Sequence, residues 1–204
     1  MKLTIDLENT ACKSPEGKLM LDPFTEGNEL VLVCAKTDSG VEHQFWFNHK
    51  EIEYSNDSHI ALQALLDEAT VLICHNAQHE LIWLWECGFK YDGPVFDTLL
   101  VEYVLQRSVK QPLSLDAVAE RYELSNQKLG TLSEYLKKGV TVDAVPKDEL
   151  LAYCLQDVRS TQELSDTLRK KMFSTTYNSL LPIIDLTNDM CVLLARVYQR
   201  GFKV

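Results

Sequence analysis

No stretch of roughly 18 apolar residues occurs in the chain, so none of it is long enough to cross a bilayer as a helix. The opening Met1-Lys2-Leu3-Thr4-Ile5-Asp6 meets an acid at once and reads as a strand rather than a secretory leader. None of the cysteines (Cys12, Cys34, Cys74, Cys87, Cys154 and Cys191) forms a CxxC pair, which excludes the usual zinc-finger and redox spacings. A reducing cytoplasm, of a bacterium or a phage-infected host, suits them better than a disulfide framework. Positive charge is also short: 20 Lys and Arg stand against 30 Asp and Glu, a formal net charge of −10. A nucleic-acid binder normally carries a basic footprint. Contact with a polyanion would therefore need bound cations or a second, gripping domain. No internal repeat and no low-complexity tract is present. What the chain does have is 204 residues, 46% of them hydrophobic, enough for one substantial core.

The hydrophobic periods predict strands first and helices later. Lys2–Glu8 alternates Leu3, Ile5 and Leu7 with polar residues, a strand pattern. Residues 11–28, with Ser-Pro-Glu-Gly and Asp-Pro, suggest a long loop. Leu30–Lys36 and Val41–Phe47, joined at Asp38-Ser39-Gly40, suggest a hairpin. Asp57 or Ser58 can cap a helix to about Glu68, and Val71–Cys74 is a buried strand. Leu81, Leu84 and Trp85 recur at helical spacing until Gly88. A short strand at Val95-Phe96 and helices over Thr98–Gln106, Ser114–Tyr122 and Asp148–Lys171 follow. Tyr177–Arg200 is a further helical stretch that Pro182 should interrupt. The pattern is α/β, a mixed sheet flanked by helices.

Three short acidic motifs stand out. Asp6-Leu7-Glu8 puts two carboxylates at i and i+2, on one face of a strand. Such a pair repels unless something positive lies between, and hard oxygen ligands suit magnesium or manganese. Tyr153 and Asp157, at i and i+4, share a helix face. His75-Asn76-Ala77-Gln78-His79-Glu80 follows a buried strand and opens a helix, where α/β proteins often place ligand groups. His75 and His79 are spaced like helix-borne zinc ligands, but no third soft ligand lies near them in the sequence.

Taken in order, Asp-x-Glu, His-Asn-x-x-x-acid and Tyr-x-x-x-Asp resemble the three exonuclease motifs of the DEDD superfamily. The Tyr-bearing branch of that superfamily, which they resemble, includes the proofreading domain of family A DNA polymerases. Phe96-Asp97-Thr98-Leu99-Leu100 with Tyr103-Val104-Leu105, and Leu113-Ser114-Leu115-Asp116 with Leu124, extend the resemblance from Leu3 to about Leu168. It implies a ribonuclease H-like fold with a five-stranded mixed sheet. It further implies a 3′→5′ exonuclease over residues 1–172, with a C-terminal helix over 173–204 leading toward a polymerase domain of the same full-length chain. The substrate would be the 3′ end of single-stranded or mismatched DNA. Asp6, Glu8, Glu80 and Asp157 would hold two divalent cations, Mg2+ or Mn2+. Asp6 would bridge them, and Tyr153 would orient the attacking water. Asn76 and Lys110 would contact the terminal nucleotide and a phosphate. The family has Asp where this chain has Glu80, one methylene longer, which implies an altered metal preference. Asp97 is no substitute for it, because the family carries that Asp as well. The competing readings are a stand-alone RNA exonuclease and a non-catalytic domain that braces a polymerase.

Overall fold

A computed structural model describes residues 1–125 and 131–201. The strands are β1 (Lys2–Asn9), β2 (Cys12–Lys13), β3 (Leu19–Met20), β4 (Leu30–Thr37), β5 (Glu42–Trp46), β6 (Val71–Cys74) and β7 (Val95–Asp97). The helices are α1 (Asn56–Glu68), α2 (Ala77–Glu86), α3 (Thr98–Leu105), α4 (Leu115–Arg121), α5 (Thr131–Lys137), α6 (Lys147–Met172) and α7 (Leu181–Arg200). Five strands form one sheet in the order β5-β4-β1-β6-β7. β4 runs antiparallel to both β1 and β5, whereas β1, β6 and β7 are parallel. The expected mixed five-stranded sheet flanked by helices is what the chain adopts.

The alternation in β1 sorts its side chains to two faces. Leu3, Ile5 and Leu7 join one core with Leu62 and Leu66 of α1, Leu81 and Leu84 of α2, and Ala195 of α7. The opposite face carries Asp6 and Glu8. Their β4 partners in register, Cys34 and Leu32, pack on Leu150, Cys154 and Val158 of α6. The long helix is thus laid across the side of the sheet that bears the acids.

Four expectations need correction. Residues 11–28 are not all loop, because β2 and β3 pair as a two-stranded ribbon. Asn28 ties that ribbon down: its Oδ1 accepts from Cys12 N at 2.7 Å, and its Nδ2 donates to Met20 O at 2.9 Å. The cap of α1 is Ser55, whose hydroxyl accepts from Asp57 N. Asp57 and Ser58 lie inside the helix. Pro182 does not interrupt α7 but sits in its first turn, where the missing N–H has no intrahelical partner to lose. α5 was not anticipated.

Candidate active site

The site is built where strands end. β6 pairs with β1 only as far as Thr4↔Ile73, while β1 continues to Asn9 and bulges between Glu8 and Asn9. Past the end of β6, the Leu7 N–H donates to the carboxylate of Glu80, in the first turn of α2. Glu80 is 3% exposed, and its Oε2 has no hydrogen-bond partner. Burial pushes its carboxyl well above the ordinary range, and the charges of Asp6, Glu8 and Asp97 push it further. A buried carboxyl with one oxygen unsatisfied, facing like charges, is a costly arrangement without a cation.

The second wall is α6. Tyr153, Cys154 and Asp157 are all buried. The Cys154 thiol lies 3.6 Å from Asp6 O and 3.7 Å from Asp6 Oδ2, although 148 positions separate the two residues. Burial raises the Tyr153 phenol far above its usual range. The charges of Asp157, Glu8 and Asp6 add to this, as does a hydrogen bond to Asp157. Tyr153 is therefore a neutral donor at any ordinary pH. The fold brings Asp6, Glu8, Glu80, Tyr153 and Asp157 into one electrostatically coupled group.

Asp97 does different work. By register it aligns with Cys74 of β6, on the sheet face opposite Asp6 and Glu8. It is 1% exposed, and its carboxylate accepts from four backbone amides: Ala77 (2.8 Å), Leu99 (2.9 Å), Asn76 (3.1 Å) and Leu100 (3.4 Å). One side chain thereby satisfies the open N-termini of both α2 and α3.

The remaining candidates lie farther out. Asn76 holds φ 85°, the left-handed region that Asn tolerates better than most residues, and its side chain makes no cap hydrogen bond. It is exposed and lines a cavity of about 320 Å3 with Trp83 and Tyr198. Lys110 is exposed in the connection from α3 to α4, and no described contact joins it to the carboxylates. His75 and His79 do not act as a pair. The ring nitrogens of His75 meet Thr98 Oγ1 and Leu113 O, and His79 Nε2 meets Asn9 Oδ1. A larger cavity, about 620 Å3, opens beside Glu8 and is walled by Leu7, Leu19, Leu132 and Val142. Cys154, which lies against Asp6, was not among the expected site residues. Its spacing of three from Asp157, on the same helix face as that acid, was the available signal.

The strain on Glu80 predicts that Glu80→Gln stabilises the metal-free protein at neutral pH, by about 1–3 kcal/mol. The raised carboxyl lowers wild-type stability progressively as pH climbs from the ordinary carboxylate range through the raised value. The amide removes that slope. Denaturant melts in chelator, at acid and neutral pH, check this, and a lower neutral midpoint for the variant would contradict it.

A family model described as 3′-5′ exonuclease, of the DNA polymerase A type, matches residues 5–172. DNA polymerase I of Synechocystis sp. is 28% identical over 133 residues, covering 65% of this chain and only 13% of that polymerase. Among solved structures, Trypanosoma brucei RNase D in complex with RNA gives a TM-score of 0.66 at 19% identity, covering 100% of this chain and 65% of that one. The Pol1 structure from M. smegmatis with DNA gives 0.64 at 12% identity, covering 100% of this chain and 29% of that one. The fold is thus ribonuclease H-like, as its nuclease neighbours are. With its mixed sheet, its strand-end acids and a match over residues 5–172, the chain belongs to the 3′-5′ exonuclease family of the DNA polymerase A type.

Proposed function

We propose that this chain removes nucleotides from the 3′ end of single-stranded or mismatched DNA, releasing nucleoside 5′-monophosphates, as the proofreading part of a DNA polymerase I-type enzyme. The observation that carries this reading is the orphaned Glu80 oxygen beside Asp6 and Glu8, an arrangement that divalent cations would satisfy. Asp6, Glu8, Glu80 and Asp157 offer an all-carboxylate set suited to two Mg2+ or Mn2+ ions. Such ions supply activation of water and compensation of charge on the departing 3′ oxygen. Asp6 lies beside the Cys154 thiol and its charge bears on Glu80, which supports a shared-ligand role for it. Tyr153 keeps its proton, so its part is to orient an oxygen through its hydroxyl rather than to act as a base. The apolar cavity beside Glu8 suits the face of a terminal base. Asn76 and Lys110 have side chains available for the nucleotide and a phosphate. Mismatched ends would enter more readily because they unpair at less cost.

Attachment to a polymerase has its own support. One face of α7 buries Ile184, Asn188, Cys191 and Ala195. The other exposes Ile183, Leu186, Met190, Leu193 and Leu194, an apolar stripe suited to cover by a further domain. We take residues 173–204 as the segment leading there; Phe202, Lys203 and Val204 lie outside the described residues.

Purified protein with labelled single-stranded DNA or RNA, in magnesium or manganese, tests the proposal. Stepwise shortening of DNA from its 3′ end is expected. Shortening of RNA alone would transfer the substrate to RNA, the ligand in the RNase D structure. Inertness toward both strands in both metals would leave a bracing role.

Tyr153→Phe is expected to slow hydrolysis by about 10- to 100-fold without abolishing it. The loss should fall on kcat and leave KM near its starting value, because the phenol would act on the water. An unchanged kcat would reduce Tyr153 to a packing residue.

A further inference from the structure

One corner of this acidic chain is positive. Residues 103–115 and 167–184 carry five of the 20 Lys and Arg (Arg107, Lys110, Arg169, Lys170 and Lys171) and none of the 30 Asp and Glu. The fold brings the two stretches together. Arg107, just past α3, donates through Nη2 to Thr176 O, beyond the end of α6. Its guanidinium lies 4.5 Å from the ring centre of Tyr177, and the Lys171 ammonium lies 5.2 Å from the same centre. Glu102, which borders the first stretch, is buried, and its charge is met inside by Arg121 at 2.7 Å and Tyr122 at 2.6 Å. Among the described residues, no ion pair joins an acid to Arg107, Lys110, Lys170 or Lys171. A basic last turn complements the dipole of α6, which accounts for Arg169, Lys170 and Lys171 but not for the cations that follow α3. Aromatic rings stand exposed among these charges. Phe173, just after Lys171, is 65% exposed, and Tyr103, one turn before Arg107, is 61% exposed.

We propose that this corner is a second contact surface for single-stranded DNA, apart from the carboxylates, with its cations on phosphates and Phe173 and Tyr103 against bases. Cations interleaved with exposed rings match an unpaired strand. Its phosphates supply the negative charge, and every base has a π-face that stacks without regard to sequence. An acidic protein surface would match the charges but offers no flat bases to the rings. Asp157 and Lys171 share α6, so the corner lies about 21 Å from the acids along the helix axis, at 1.5 Å per residue. That is roughly six stacked nucleotides at ~3.4 Å each. The corner therefore holds the strand well upstream of the end that meets the acids. In a chain of net charge −10, it gives a polyanion a place to approach. DNA as the occupant rests on the proposed exonuclease activity, but the contact itself needs neither metal nor cleavage.

The test is fluorescence anisotropy of the whole chain with a labelled single strand of about 20 nucleotides, long enough to reach the corner. Chelator is present throughout, so hydrolysis plays no part: the corner can fail while DNA is still cleaved in metal, and it can hold although nothing is cleaved. Affinity is measured over a series of salt concentrations. Lys170→Gln with Lys171→Gln should weaken binding at low salt by about tenfold and flatten the log–log salt slope by roughly 1.4, at ~0.7 per lost phosphate contact on a single strand. Phe173→Ala should weaken binding by about 5- to 100-fold with the slope unchanged, because it removes a stacking ring and no charge. Phe173 is exposed, so this variant serves if the lysine pair fails to fold. Lys90→Gln with Lys147→Gln makes the same change in net charge at two exposed residues elsewhere and should leave affinity within about twofold of the parent. A parent that binds no strand at low salt, corner variants that bind as the parent does, or a control pair that weakens binding as much as the corner pair would each overturn the proposal.

Discussion

Asp6→Ala should lower DNA hydrolysis by about 10⁴-fold, roughly 5 kcal/mol of transition-state stabilisation. The size of this prediction rests on position. Asp6 lies on the middle strand of the sheet, 3.7 Å from Cys154 on one wall, and its charge acts on Glu80 on the other. Removing it would dismantle the proposed binding of both cations together. The same substitution should leave the metal-free fold at least as stable as the parent, because it deletes one of the charges that bear on Glu80. Activity and stability should therefore move apart. Steady-state kinetics in magnesium and manganese, paired with denaturant melts in chelator, measure both. A residual rate within about tenfold of the parent would show that Asp6 is not shared.

Asp97→Ala should do the opposite, destabilising the fold by roughly 3–5 kcal/mol, a large part of the ~5–15 kcal/mol typical of a domain. For a chain of this size that is a fall of about 10–15 °C in melting temperature. Four amides lose their acceptor in a place water does not reach, since Asp97 is 1% exposed. The Asp97 N–H is itself held by Asn188 Oδ1 at 2.8 Å, so α7 is tied to the same point as α2 and α3. Loss of activity at high temperature would follow from unfolding rather than from chemistry. Far-ultraviolet circular dichroism melts check this, and a midpoint within about 2–4 °C of the parent, where a roughly 1 kcal/mol change would place it, would show that the amides find other partners.

These two acids show how far the sequence could be read. The pleat put Asp6 and Glu8 on one face from spacing alone, and the buried run Val71–Cys74 was a strand with those bounds. Those features depend on local periodicity, which a sequence carries openly. The double cap at Asp97 depends on which helix ends meet at one strand end, and that is a matter of topology. The β2–β3 ribbon was hidden because its strands are two residues long and are held by the Asn28 side chain rather than by an apolar pattern. The start of α1 was misread because Ser55, Asn56, Asp57 and Ser58 are all good caps, and only the fold selects among them. Pro182 looked like a breaker because composition does not reveal where a helix begins. The closeness of Cys154 to Asp6 is set by how α6 lies across the sheet, which is again a matter of topology. The geometry of Lys110 gives no matching support, as it stands exposed on a connection away from the acids.

The distance along the chain between β1 and α6 bears on synthesis. At ~5–20 residues per second, the 148 positions from Asp6 to Cys154 separate the two walls by roughly 7–30 s of translation. Throughout that interval the nascent polypeptide carries Asp6 and Glu8 without Tyr153, Cys154 or Asp157 opposite them. The acids made first wait for the helix made late, so the cluster takes shape only once most of the sheet already exists to receive it, and a half-made copy lacks the assembled group of carboxylates.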